Sequence, residues 1–137
     1  MPKRSTPART APSRLTPDPD VILDVLFEDG VLFLSVRNIG SRPVHRASVT
    51  FDQPVIGLGG DREISALPLF KNIEFLAPGR EIRTLLDTSA SYFGRHQPDR
   101  IKAAISYRDA QGRRRHAVIE HDLSIYRDIG YTRPTSQ

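Results

Sequence analysis

The stretch VILDVLFEDGVLFLSVRN, residues 21–38, reads as two β-strands joined by Asp29-Gly30. Asp-Gly between alternating apolar runs is a strong hairpin signal, because both central positions of the tight turn need positive φ and these residues tolerate it. A two-residue loop pairs Glu28 with Val31. That register gathers Val21, Leu23, Val25 and Phe27 with Leu32, Leu34 and Val36 on one face, which belongs in a core. The opposite face mixes Asp24, Glu28, Ser35 and Arg37 with Ile22, Leu26, Val31 and Phe33, so it is expected to be at least partly covered.

Working outward, the 137 residues suit one domain. Residues 1–20 hold Pro2, Pro7, Pro12, Pro17 and Pro19 and almost no large apolar side chain. They are expected to form a disordered basic Pro/Arg-rich tail, since they cannot bury enough surface to offset ordering entropy. Lys3, Arg4, Arg9 and Arg14 carry the whole basic excess of +4, and the rest of the chain is neutral. Residues 21–127 form the predicted domain, and 128–137 a C-terminal tail.

There is no cysteine, which excludes disulfides and thiolate metal sites. No apolar run approaches the ~20 residues that span a bilayer. The N-terminal stretch has no apolar signal core, and its prolines oppose the amphipathic helix of a transit peptide. A cytoplasmic protein is expected.

After the hairpin, Asn38-Ile39-Gly40-Ser41-Arg42-Pro43 is turn chemistry. A third strand over Val44 to Asp52 points Ala47, Val49 and Phe51 inward. The longer connection before it lets it cross to a second sheet. Residues 53–72 read as a long packed loop with a short edge strand; loops longer than ~12–15 residues are commonly functional. Ile73 to Leu76 is a short strand, and Pro78-Gly79 fits the centre of a type II turn. The next strand, Arg80 to Asp87, turns Ile82, Thr84 and Leu86 to one face. Thr88 is the expected N-cap of a helical turn that stops at Gly94.

The last hairpin alternates Ile101, Ala103, Ile105 and Tyr107 against polar neighbours. Its return strand carries Ala117, Ile119, Leu123 and Ile125 on one parity. A four-residue loop would match these core positions to Arg114, His116 and Glu120. A three-residue loop with Gly112 in a left-handed bulge pairs Asp109 with Arg113 and sets Ile105 against Ala117, so the bulged turn is expected. About seven strands at short spacing with one short helical turn predict an all-β, antiparallel two-sheet sandwich.

Three stretches resemble turns of bacterial immunoglobulin-like adhesion and accessory domains. Val36-Arg37-Asn38-Ile39-Gly40 resembles their "V-x-N-x-G" turn, Leu76-Ala77-Pro78-Gly79 their "L-x-P-G" turn, and residues 107–112 their penultimate hairpin. The order matches over roughly residues 21–125. The resemblance implies an immunoglobulin-like β-sandwich and a binding or scaffolding habit, and it supplies no functional residues.

No catalytic, cofactor or metal site is predicted. His116 and His121 fall on opposite strand faces, and His45 and His96 lie elsewhere, so no ligand set converges. No G-x-S-x-G elbow occurs. Gly57-Leu58-Gly59-Gly60 lacks the Gly-Lys-Ser/Thr ending of a phosphate loop. Two surfaces remain. Arg108, Arg113, Arg114 and Arg115 make a basic hairpin tip that, with Lys3, Arg4, Arg9 and Arg14, could contact an anionic partner. Charges at strand ends also guard against edge pairing, and Asp109 would partly neutralise the tip. Ile56, Leu58, Leu69 and Phe70 of the long loop are candidate partner contacts.

The predicted function is a non-enzymatic protein-interaction or scaffolding module acting through a sheet edge or residues 53–76. The alternatives are a nucleic-acid or anionic-surface accessory protein and a subunit of a larger or viral assembly. Four tail charges alone would lose roughly a hundredfold in affinity between 50 and 200 mM salt, so nucleic-acid binding through them would be weak.

Overall fold

The computed structural model describes residues 18–127 and 129. Strands β1 (Val21–Glu28) and β2 (Val31–Asn38) pair in the register set by the tight turn, with Glu28 opposite Val31 and Val21 opposite Asn38. Asp29 and Gly30 take the required positive φ of 51° and 78°. On its other side β2 pairs with β7 (Glu81–Thr88), which completes a three-stranded sheet.

Strand β3 (Val44–Phe51) crosses to a second sheet. It lies between β6 (Ile73–Leu76) and β8 (Arg100–Arg108), and β9 (Arg114–Asp122) closes the order β6-β3-β8-β9. All these pairings are antiparallel. The result is an all-β sandwich of seven strands in its two main sheets, as alternation predicts.

The inner faces meet in one core. Val21, Leu23, Leu32, Leu34 and Val36 from the first sheet pack with Ala47, Leu76, Ile101, Ala103 and Ile105 from the second. The outer face of the first sheet is partly covered by its own Arg83. That guanidinium lies 5.3 Å from the Phe33 ring centre and pairs with Glu28 at 3.2 Å.

Asn38 joins the two halves. It is wholly buried, and its Nδ2 donates to the carbonyls of Arg42 (2.8 Å) and Leu76 (3.0 Å), while Oδ1 accepts from the Gly40 amide (2.9 Å). Its main chain bonds to Arg80 and Gly79 across the Pro78-Gly79 turn. That turn closes from Arg80 N–H to Ala77 C=O at 3.0 Å with Gly79 at φ 78°, the geometry type II requires. Two turns far apart in sequence are thus one polar cluster.

The final hairpin adopts the bulged register. Ile105 lies opposite Ala117 and Ala103 opposite Ile119, with Gly112 at φ 81°. Thr88 caps helix α2 (Ser89–Gly94) by accepting from the Ser91 amide.

The structure corrects four expectations. Residues 53–72 contain a two-strand ribbon, β4 (Ile56–Gly57) with β5 (Arg62–Glu63), and a second short helix, α1 (Pro68–Lys71). These elements pack against the sandwich because Val55, Ile64 and Phe70 are core residues. The return strand ends at Asp122, which caps a 3-10 turn; Leu123 is then buried and Ile125 exposed. The strand after Pro78-Gly79 starts at Glu81, since Arg80 closes the turn. Asp20, read as part of the disordered tail, is held by its amide to the Tyr107 hydroxyl (2.9 Å) and by its carbonyl to the Ile39 amide (2.7 Å). The predicted disorder of the remaining tail segments falls largely outside the described residues.

Candidate functional site: the free edge of the four-stranded sheet

A sheet edge presents unpaired N–H and C=O groups, and proteins commonly shorten, cover or charge it. The two main sheets end at β1, β7, β6 and β9. Glu28 and Val31 flank a two-residue turn and form a hydrogen-bonded pair, so the main chains of Leu23 and Val25 point away from β2. Side chains close them. The Leu23 carbonyl accepts from His121 Nε2 at 2.7 Å, the Val25 carbonyl from the Tyr126 hydroxyl at 3.5 Å, and the Val25 amide donates to Asp24 Oδ1 at 2.9 Å. Edge β7 is approached by the 56–60 segment, where Gly57 abuts the Leu86 carbonyl. Edge β6 is four residues long.

β9 is different. It runs nine residues. The Asp109 amide donates to the Arg113 carbonyl (2.9 Å), which sets the phase of the ladder. Arg115, Ala117, Ile119 and His121 therefore turn their main chains toward β8, and Arg114, His116, Val118, Glu120 and Asp122 turn theirs away. The Asp52 amide bonded to Lys102 O (3.0 Å) shows that β8 faces β3 with its even-numbered residues, as this phase demands. Among the described residues no strand is hydrogen-bonded to the outer side of β9, although His121 brings β1 close to it. Val118, midway along it, is 66 % exposed.

The arginine hairpin stands at one end of this edge, and the structure divides its members. Asp109 is buried, and its carboxylate takes Arg113 Nε and Arg115 Nε at 3.2 Å each together with the amides of Gln111 and Arg113. Burial pushes this carboxyl up, but the two amides and the Arg113 guanidinium outweigh it and hold it below the usual aspartate range. Arg113 and Arg115 are thus structural ion-pair members. Arg108 donates to the Gly112 carbonyl at 3.2 Å. Arg114 sits opposite Arg108 and has no ionic partner among the described residues.

Sequence reasoning missed Arg46. The pairing of β3 with β8 slips between His45 and Ser48, and Arg46 takes a left-handed φ of 53° there. That irregularity brings Arg46 beside Arg108 and Arg114, and the three line a shallow cavity of about 200 Å³. Arg46 also lies 3.8 Å from Glu74. No sequence signal marks this bulge, because β3 must satisfy two neighbouring strands at once. Lys3, Arg4, Arg9 and Arg14 lie outside the described residues.

The long-loop candidates separate too. Phe70 is 1 % exposed and meets Phe51 edge-to-face, so it is removed as a partner contact. Leu69 and Ile56 are half-buried, and Leu58 is exposed at φ 53°. The segment is fastened by a part-buried pair: Asp87 Oδ2 accepts from Arg95 Nη2 and from the Gly59 amide, and the same Nη2 reaches the Ile56 carbonyl. A cavity of about 420 Å³ opens between the end of β3 and α1, lined in part by Phe51, Asp52, Glu63 and Lys71. His116 and His121 do fall on opposite faces: His116 is exposed, whereas His121 reaches β1. Tyr92, whose phenol is pushed up to about 12 by burial, is a strut that donates to the Pro98 carbonyl.

No curated relative matches the sequence. Residues 5–127 match the model of a family described as a domain of unknown function, DUF8453. That span takes in both sheets, the arginine hairpin and the free edge, and the chain belongs to the DUF8453 family.

Proposed function

We propose that this chain is a non-enzymatic, immunoglobulin-like interaction module whose recognition surface is the free edge of β9 with its adjoining outer face. The observation that carries this reading is the contrast between edges: β1 is closed by three side-chain hydrogen bonds, while on the outer side of the nine-residue β9, where five residues turn their main chains away from β8, no strand pairs among the described residues. Strand addition to such an edge takes affinity from main-chain bonds and selectivity from alternate side chains. The carboxyls of Asp87, Asp109 and Asp122, all displaced below their ordinary range, have structural partners, which favours binding over catalysis. The absence of cysteine fits a cytoplasmic setting. No helix of the described residues is long and apolar enough to cross a membrane.

The test is capture of a partner by the full chain and by Val118→Lys, in nuclease-treated lysate at about 0.4 M salt, where the Debye length is only about 5 Å. A stoichiometric partner held by the parent chain and lost by Val118→Lys supports the reading. Equal capture by both places recognition elsewhere.

A second reading rests on Arg46, Arg108 and Arg114: an accessory protein gripping an anionic polymer. Three phosphate contacts would lose about 40-fold in affinity between 50 and 200 mM salt. A salt-insensitive complex refutes it.

A further inference from the structure

We infer that the β9 edge pairs with the β9 edge of a second copy of this chain, across a two-fold axis through Val118. The inference rests on the reading of β9 as the recognition edge and names its partner. The outward positions along β9 run Arg114, His116, Val118, Glu120, Asp122. Reversed by a two-fold at Val118, this series meets itself with complementary character at every position. Arg114 faces the second copy's Asp122, His116 faces the second copy's Glu120, and the two Val118 side chains meet at the axis. Isologous interfaces demand this kind of self-complementarity.

The main chain agrees with the side chains. The residues matched by this axis are those whose N–H and C=O groups point away from β8, so each matched pair can exchange two hydrogen bonds. On the inner face the same register sets Ala117 against the second copy's Ile119. It sets Arg115, which pairs with Asp109 at 3.2 Å, against the second copy's His121.

The register is also selective. A slip by two residues moves the axis to Ala117 or Ile119; it keeps only Arg114 against Glu120 or only His116 against Asp122, and it sets Val118 against His116 or Glu120 instead of against itself. Val118 suits the axis, being the large apolar side chain of β9 left 66 % exposed. Its row contains Ala104, which leaves a shallow apolar hollow of about 280 Å³ shared with Lys102 and Thr50. Nine paired residues are only about 30 Å of strand, a small interface by the standard of about 800 Å² per partner. The dimer is therefore expected to depend on concentration.

The absence of cysteine makes the register directly readable. In the full chain, Val118→Cys puts the only thiols of the dimer on the axis, at a Cα separation of ~5.5 Å that a disulfide spans. His116→Cys alone puts its two thiols roughly 14 Å apart, too far to join, but mixed with Glu120→Cys it should cross-link. Rapid oxidation of Val118→Cys to a dimer, none for His116→Cys alone, and a mixed disulfide from the pair support the inference. The cysteine-free parent should double from 15.4 kDa with rising concentration, and Val118→Lys should stay monomeric. A parent chain that stays monomeric at high concentration, with the three cysteine variants cross-linking equally slowly, overturns self-pairing. If Val118→Lys still loses a captured foreign partner in that case, the edge reading stands and only its occupant was wrong.

Discussion

Replacing Asn38 by alanine tests whether the two turns form one energetic unit. The side chain makes three hydrogen bonds from a fully buried position. The bond to the Leu76 carbonyl is buried outright, and losing its donor leaves that acceptor at a cost of about 2 kcal/mol. The Arg42 carbonyl and the Gly40 amide are only part-buried, and water recovers much of each, so together they add about 1 kcal/mol. The expected loss is ~3 kcal/mol, which for a domain of this size lowers the melting temperature by about 12 °C. Asn38→Asp is the informative companion. It keeps the acceptor for Gly40 but aims a carboxylate at two carbonyls, so it should be at least as damaging as alanine. Urea and thermal unfolding of the three proteins, followed by circular dichroism, give both numbers. An alanine variant within about 0.5 kcal/mol of the parent, or an aspartate variant equal to it, refutes the reasoning.

Three further outcomes follow from the packing. Gly57→Ala should cost about 3 kcal/mol or more, because a Cβ there would sit 2.0 Å from the Leu86 carbonyl and 2.8 Å from Ile64; unfolding midpoints check it. Asp87 has its carboxyl raised by burial but lowered further by Arg95 and the amides of Gly59 and Thr88, a net depression below 3.8. A depressed carboxyl stabilises the fold above the unfolded-state value, and that contribution should fade as pH falls from about 4 through the folded value. Asp87→Asn should flatten that part of the stability–pH curve. Removing the ring that caps the Leu23 carbonyl, by His121→Ala, should speed exchange along β1 and raise aggregation through that newly opened edge.

The parts of the fold legible in the sequence are those fixed by local chemistry. Asp29-Gly30 set one register, Gly112 another and Pro78-Gly79 a turn, each through positive-φ positions that few residues tolerate, and Thr88 sets a cap through a hydroxyl that accepts the Ser91 amide. What escaped reading depends on contacts between distant segments. Residues 53–72 have no period because their Val55, Ile64 and Phe70 enter the core one at a time from an irregular segment. Arg46 looked like an ordinary outward strand residue, and only the mismatch between two neighbours of β3 turns it toward Arg108. The arginine tip was legible in outline. That Asp109 commits Arg113 and Arg115, leaving Arg114 at the head of the free edge, follows from the bulged turn's geometry. Which edge stays open could not be read at all, because it turns on His121 and Tyr126 reaching across to β1.

Amide hydrogen exchange along β9, resolved residue by residue in the full chain, tests the open edge most directly. In dilute protein the amides of Arg115, Ala117, Ile119 and His121 should be protected, and those of His116, Val118 and Glu120 should exchange fast. Raising the concentration should slow the second set and leave the first unchanged. Uniform protection at every concentration would mean that the edge is covered within a single chain, and the account of this surface would be wrong.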